Sequence, residues 1–263
     1  MRRVLIALAA LAVVSAATAT AVFAGKPSGG ADVASYYPDL RTVVPLHLGI
    51  QNQQQRDILR FSNGIANTGR GPLALRPEPP PSEATTTTTA VQEIRDPDGN
   101  VLDEIVTGSF EFHPQHNHWH IGDVALFEVR QGSPTGPVVG GLSIKTTFCL
   151  IDWYTLDGNS PTSERIFWDC ATSYQGISPG WVDQYHQSTV GQQLDLTGVA
   201  NGVYFLVSTS NYAQRFRESD YTNNTAWTKF RLFRDSSGNR KIETLAHSPC
   251  ESAGLCGLGA PNR

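Results

Sequence analysis

The sequence has little that favours helix: no amphipathic run of ten residues stands out, and there is no internal repeat. It also lacks a Cys-x-x-Cys pair, an excess of basic residues and, beyond its first two dozen positions, any apolar run of membrane length. Each absence excludes something. Four cysteines without Cys-x-x-Cys make a poor four-cysteine zinc site; an even number in an exported chain reads instead as two disulfides. With 20 Lys and Arg against 24 Asp and Glu, the net charge of −4 offers no basic patch, so no nucleic-acid partner is expected. A mildly acidic surface serves solubility and could draw in cationic substrates.

What is present begins with Arg2 and Arg3, followed by a small-apolar run over 4–24 that ends Val22-Phe23-Ala24. A positive start, an apolar middle and a small final residue read as a secretory signal peptide over 1–24, with an uncleaved anchor as the competing reading. The polar Gly25-Lys26-Pro27-Ser28 that follows favours cleavage. The expected product is secreted, extracellular and free of the membrane after cleavage. Removing 24 of 263 residues leaves 239, with a formal charge of −6. Residues 25–34 read as a flexible linker, and the remainder is long enough for one substantial core or two small ones.

Short strand-like segments separated by turn signals fill that remainder. Residues 43–50 and 57–67 read as strands, the second ending at the turn Asn67-Thr68-Gly69-Arg70-Gly71. The stretch 71–90, rich in Pro and Thr, reads as an exposed loop. Segments 91–95 and 101–107 flank Asp96-Pro97-Asp98-Gly99-Asn100, a β-hairpin signal. Further strands are expected at 124–129, 142–150, 192–196, 202–209 and 225–233. Residues 152–180 read as loop, and 181–186 is ambiguous between strand and short helix. The pattern predicts a mainly β fold, a β-sandwich-like single domain with long loops and little helix.

The most chemically loaded stretch is Phe112-His113-Pro114-Gln115-His116-Asn117-His118-Trp119-His120-Ile121-Gly122-Asp123, which holds four of the seven histidines. His116, His118 and His120 alternate, so on an extended strand they form one row of imidazoles. Such a row suits zinc, copper, iron or nickel. The outer Cα atoms would lie roughly 13 Å apart on an ideal strand. A single ion therefore requires the outer rings to lean inward, or the strand to twist or bulge. His113 falls at the wrong parity, behind Pro114, and is not counted as a ligand. The zinc-hydrolase pattern His-x-His-x-Asp-His fails in either register.

Downstream stand Lys145-Thr146-Thr147-Phe148-Cys149-Leu150, Gly180-Trp181-Val182-Asp183-Gln184-Tyr185 and Glu218-Ser219-Asp220-Tyr221-Thr222-Asn223-Asn224. Their order and spacing after the His-Asn-His-Trp-His run resemble the lysyl oxidase family. Pro38-Asp39-Leu40 and Leu59-Arg60-Phe61-Ser62 extend the resemblance over most of 38–230. It implies a bacterial-type, lysyl oxidase-like catalytic domain over 35–263; an insertion at 78–108, longer than the family pattern, is a candidate to reshape the substrate entrance and sets the chain apart from enzymes of animal matrix.

The resemblance implies copper on His116, His118 and His120, and a lysyl tyrosylquinone made from Lys145 and Tyr185. An o-quinone carbonyl condenses with a primary amine, and the cofactor rather than the protein carries the electrons. The implied activity is copper-dependent oxidation of primary amines, with peptidyl lysine as one candidate substrate, to aldehyde and ammonia as O2 becomes hydrogen peroxide. Asp123 is a candidate base, or a partner for a ligand's second N–H. A structural calcium site on Asp39, the Leu40 carbonyl, Glu218, Asp220, Asn223 and Asn224 is implied as well. So is a disulfide Cys149–Cys170, while Cys250–Cys256 is expected as a local pair near the C-terminus. The rival readings are a non-catalytic metal-binding β-sandwich module and a zinc-type hydrolase. The oligomeric state is left open.

Overall fold

The computed structural model describes residues 32–141, 147–158, 161, 164–171 and 174–261. The expected signal peptide, most of the linker and Lys145 lie outside the described residues. Among the described residues no helix is long and apolar enough to cross a membrane. The only helices there are two 3-10 turns, Val33–Tyr36 and Leu156–Gly158, and the rest is strand and connection. The first turn, with Asp32 accepting the amide N–H of Ala34, takes Val33 and Ala34 out of the expected linker.

Among the described residues sixteen strands form three sheets, and every pairing is antiparallel. The first sheet joins β1 (Leu40–Gln53), β2 (Arg56–Asn67), β12 (Trp181–Tyr185) and β10 (Tyr154–Thr155), with β13 (Gln193–Asp195) also on β2. The second runs β11 (Gln175–Ile177), β3 (Leu73–Glu78), β4 (Thr87–Arg95), β5 (Val101–His113), β6 (His118–Gly122) and β9 (Thr147–Phe148). The third runs β16 (Arg240–His247), β15 (Thr225–Arg234), β14 (Gly202–Ser210), β7 (Ala125–Gln131) and β8 (Val138–Val139).

All three sheets contribute to one hydrophobic core. Phe61 of β2, Phe110 of β5, Phe127 of β7, Leu206 of β14 and Phe230 of β15 are fully buried there. Phe61 and Phe127 meet edge to face at 5.0 Å between ring centroids, and Phe127 meets Phe148 at 6.3 Å. Phe148 in turn stands at 89° to the Tyr185 ring, 4.9 Å away. Edge-to-face pairs of this kind contribute about 1 kcal/mol each beyond burial. The series carries rigidity from the core out to Tyr185.

One expectation for the connections is overturned and one ambiguity is resolved. Residues 71–90 are not a loop: 73–78 form β3, between β11 and β4, and 87–90 open β4. Leu73, Ala74 and Leu75 are fully buried in succession, as a strand covered on both faces requires. The ambiguous 181–186 segment resolves as strand β12, whose register pairs Asp183 with Ile65 and Tyr185 with Asn63. The long 152–180 connection is pinned by a buried carboxylate. Asp152 accepts N–H groups of Ile166 (3.0 Å), Phe167 (3.2 Å) and Ser178 (2.7 Å) and the Ser178 hydroxyl (2.8 Å).

Candidate metal centre and tyrosine cavity

The four histidines of 113–120 converge, but not as a row on one strand. β5 ends at His113, residues 114–117 turn, and β6 starts at His118. Asn117 supplies the left-handed residue of that turn, at φ 55°. His116 thus rides on the turn, and its ring centroid comes within 5.3 Å of His118 and 5.7 Å of His120. The expected inward lean is achieved by a hairpin rather than by a bent strand.

The hairpin also brings in the histidine that parity counting set aside. His113 lies directly opposite His118 in the β5–β6 register, and its ring centroid is 4.1 Å from that of His120. One ring nitrogen each of His113, His116 and His120 fall within 4.8 Å of one another. Parity holds along a strand and says nothing across a turn; a histidine five residues before His118, with a turn between, was the available signal. Exposure falls along the series, with His116 exposed, His118 half-buried and His120 buried.

The nitrogens present a fit for a metal. His118 Nε2 and His120 Nε2 lie 2.8 Å apart. Two nitrogens each about 2.0 Å from one ion, at the right angle of a tetragonal copper site, are separated by about 2.8 Å. On the far side of the ring, His120 Nδ1 lies 3.2 Å from the Thr147 hydroxyl. A hydrogen bond donated there by Nδ1 leaves the Nε2 lone pair facing the shared position.

These rings open into a cavity of about 360 Å³ lined by His116, His118, His120, Asp183 and Tyr185, with the disulfide partners Cys149 and Cys170 in its wall. The Tyr185 hydroxyl donates to the Cys149 carbonyl at 2.8 Å and accepts the Cys149 N–H at 2.7 Å. Burial, and secondarily the charge of Asp183, raise the Tyr185 phenol well above its ordinary pKa, against the Cys149 N–H. Tyr185 therefore holds its proton on Oη, with its ring fixed against the strand that follows Lys145. Cys149–Cys170 and Cys250–Cys256 are both bridged, and Cys170 also accepts the Trp119 N–H through its carbonyl, which ties the 164–171 segment to β6.

Asp123 is not in this cavity. It sits at φ 59° in an adjoining one of about 370 Å³, beside Glu111, Thr147 and Arg215. One of its oxygens accepts the Tyr212 hydroxyl at 2.6 Å and the other pairs with Arg215 Nε at 2.6 Å. The hydrogen bond to Asp123 is the main reason that the Tyr212 phenol is pushed up to about 12. The carboxylate that does line the histidine cavity, Asp183, was overlooked in the sequence. Its signal was simple: it stands two residues before Tyr185 on one strand, and so on the same face.

A second cluster gathers the oxygen-rich segment. Glu218 is buried and accepts the Leu40 N–H at 2.8 Å and the side-chain amides of Asn211 (2.5 Å) and Asn224 (2.7 Å). Burial raises its pKa, those amides and the Leu40 N–H oppose the rise, and the nearby Asp39 charge adds to it. Asn223 donates to both Asp39 oxygens, at 3.1 and 3.3 Å. Asn223 Oδ1 and Asn224 Oδ1 are buried and accept no hydrogen bond. Asp220 instead turns Oδ1 to the Thr222 amide and hydroxyl, both at 2.7 Å.

An antiparallel β fold that brings a histidine hairpin and a half-buried tyrosine to one cavity defines a β-class candidate metalloprotein. The family profile for lysyl oxidase matches residues 97–238, more than half of the chain, and the chain belongs to the lysyl oxidase family. That span includes the histidines, Tyr185 and the 218–224 segment. Pig protein-lysine 6-oxidase is 32% identical over 124 residues, 47% of this chain and 47% of the relative. The human protein-lysine 6-oxidase is 33% identical over 117 residues, 44% of this chain and 26% of the relative. Lysyl oxidase homolog 2 of Xenopus tropicalis is 33% identical over 118 residues, 44% of this chain and 14% of the relative. The match thus spans less than half the length of these curated relatives.

Proposed function

We propose that the protein is a secreted, copper-dependent amine oxidase that converts primary amines, peptidyl lysine among the candidates, to aldehydes and ammonia while O2 is reduced to hydrogen peroxide. The observation that carries this reading is the convergence of His116, His118, His120 and Tyr185 on one cavity within the family match. The exported leader expected over 1–24 and the two disulfides support an oxidising, extracellular setting.

His116, His118 and His120 would hold the copper, with His113 close enough to join them or to orient His120. When bound, copper would supply the oxidation of Tyr185 and its cross-linking to Lys145, and the quinone so made would supply the electron sink for amine oxidation. Thr147 fixes the His120 ring by the Nδ1 contact. The Cys149 backbone holds Tyr185 by both its donor and its acceptor, and Lys145 is four residues up the chain from Cys149, within about 14 Å even if fully extended. Phe148 packs edge to face on the Tyr185 ring, and the Cys149–Cys170 disulfide stands in the wall of the same cavity.

The oxygen cluster suits calcium, which takes six to eight oxygen ligands. The two buried amide oxygens of Asn223 and Asn224, without partners, support this role, with the Asp39 and Glu218 carboxylates beside them. The Leu40 carbonyl and Asp220 complete the proposed set; Asp220 would turn its carboxylate from Thr222 to reach it.

Copper-loaded, denatured protein should stain with nitroblue tetrazolium, and the folded protein should release peroxide when given primary amines in air. Tyr185→Phe and Lys145→Arg should abolish both signals. A fully copper-loaded wild type that neither stains nor releases peroxide from any amine is a metal-binding module or a hydrolase, not an oxidase.

A further inference from the structure

Resting on the oxidase reading for its effect on the reaction, we infer that Arg60 is a positioning residue. It clamps residues 186–192 as the lip of the histidine and tyrosine cavity, and so sets how firmly a substrate is held there.

Strand β2 carries this part of the site along one edge. β12 pairs with it as far as Tyr185, opposite Asn63, and β13 resumes the pairing at Gln193, opposite Arg60. Between them 186–192 leaves the sheet and returns, while β2 advances only past Phe61 and Ser62. Such an excursion carries backbone groups that no strand partner satisfies. Two side chains of β2 take them up. The Ser62 hydroxyl accepts the Gln187 N–H at 2.9 Å. Arg60 donates from Nε to the Gln187 carbonyl at 2.7 Å and from Nη2 to the Thr189 carbonyl at 2.7 Å. Its Nη1 donates to Gln193 Oε1 at 2.6 Å. The Thr189 carbonyl also accepts the Gln192 N–H at 3.1 Å, which closes the turn.

Arg60 is buried, at 8% exposure, and all three bonds end on neutral oxygens of this one segment. A planar guanidinium holds several acceptors at once in fixed directions, which the ammonium of a lysine does less well. The clamped segment reaches the cavity. Thr189 and Val190 line it together with His116, His118, His120 and Tyr185. Val190 does so while 77% exposed, which puts it at the rim. A molecule entering toward Tyr185 passes that rim, and Arg60 fixes it from behind by its bonds to Thr189 and Gln193 on either side of Val190. Arg60 itself does not line the cavity, so it acts through the lip. Contacts at a rim are made alike by bound substrate and transition state, and their loss raises KM more than it lowers kcat.

The test uses the full chain, first free of copper and then copper-loaded. Without copper, Arg60→Met should speed amide hydrogen exchange in the 186–193 peptide on the order of tenfold. The 118–131 peptide of β6 and β7 should exchange as in the wild type, and Arg60→Lys should fall between the two in 186–193. With copper, Arg60→Met should take up phenylhydrazine, a reagent that titrates quinone, to the wild-type stoichiometry. Its KM for n-butylamine should rise about tenfold with kcat within about twofold of the wild type, and Arg60→Lys should recover part of the rise. In a Val190→Ala background the Arg60→Met change should raise KM less than about twofold, because both side chains act through one lip. Unchanged exchange in 186–193 overturns the inference. So does faster exchange throughout, which would make Arg60 a support of the whole fold. A fall in kcat at unchanged KM, loss of the phenylhydrazine adduct in the variant alone, or full additivity with Val190→Ala also overturns it. A wild type that takes up no phenylhydrazine overturns the oxidase reading and the effect on KM, and the exchange measurement then still decides the clamp.

Discussion

Asp195 shows how far one side chain is set by its partners. It accepts the Thr197 hydroxyl at 2.5 Å and the Thr197 N–H at 2.9 Å on one oxygen, and Arg56 at 2.7 Å on the other. The Thr197 bonds first, and Arg56 after them, hold its carboxyl down at about 2. A carboxylate whose pKa is lower in the folded than in the unfolded chain contributes stability above the ordinary value of 3.8. That contribution is lost as the pH falls toward about 2. Asp195→Asn should therefore flatten the acid-side fall in melting temperature between about pH 4 and about pH 2. Melting curves across that window check it, and parallel profiles for variant and wild type would contradict it. The same scale separates the two cavity carboxylates. Asp123 pairs with Tyr212 and Arg215, whereas Asp183 is among the residues that line the cavity of the histidines and Tyr185.

The element that matters most is the β5–β6 hairpin. Its turn puts His113 and His116 where a straight strand would have sent them apart, and Asn117 holds the turn in the left-handed region that a β-branched residue resists. Asn117→Val should introduce about 1–3 kcal/mol of strain and lower copper retention after dialysis against a chelator, while Asn117→Gly should retain copper as the wild type does. Equal copper content in all three proteins would show that the turn does not organise the site. The residue types of this hairpin were legible in the sequence; its shape was not, because alternation implied a strand where the chain turns. Strand β3 was hidden for a related reason. Prolines and threonines around it dominated the composition, although Leu73 and Leu75 stood ready to be buried. Asp152 and Gln175 could not be read at all as pins of the fold. Their partners lie from 14 to 56 residues away, and only the folded chain brings them together.

Across the whole molecule, the first strand and the segment before β15 are joined at the oxygen cluster, where Glu218 reaches Leu40 over 178 residues of chain. Filled by calcium, that junction would tie both ends of the β fold. Calcium should raise the melting temperature, and Asp220→Ala should weaken that rise without changing copper content. Loss of copper in the variant would show that the oxygen cluster has been misassigned. The core meanwhile extends as an aromatic series from Phe61 through Phe127 and Phe148 to Tyr185, so the tyrosine is held by the fold as a whole. The central claim is that this tyrosine, beside the histidine hairpin, becomes a cofactor joined to Lys145. The most direct measurement is peptide mass spectrometry of protein loaded with copper in air and, separately, without oxygen. One cross-linked species joining the peptides of Lys145 and Tyr185 is expected in air and absent without oxygen. Recovery of both peptides intact and separate from fully copper-loaded, aerated protein would contradict the account.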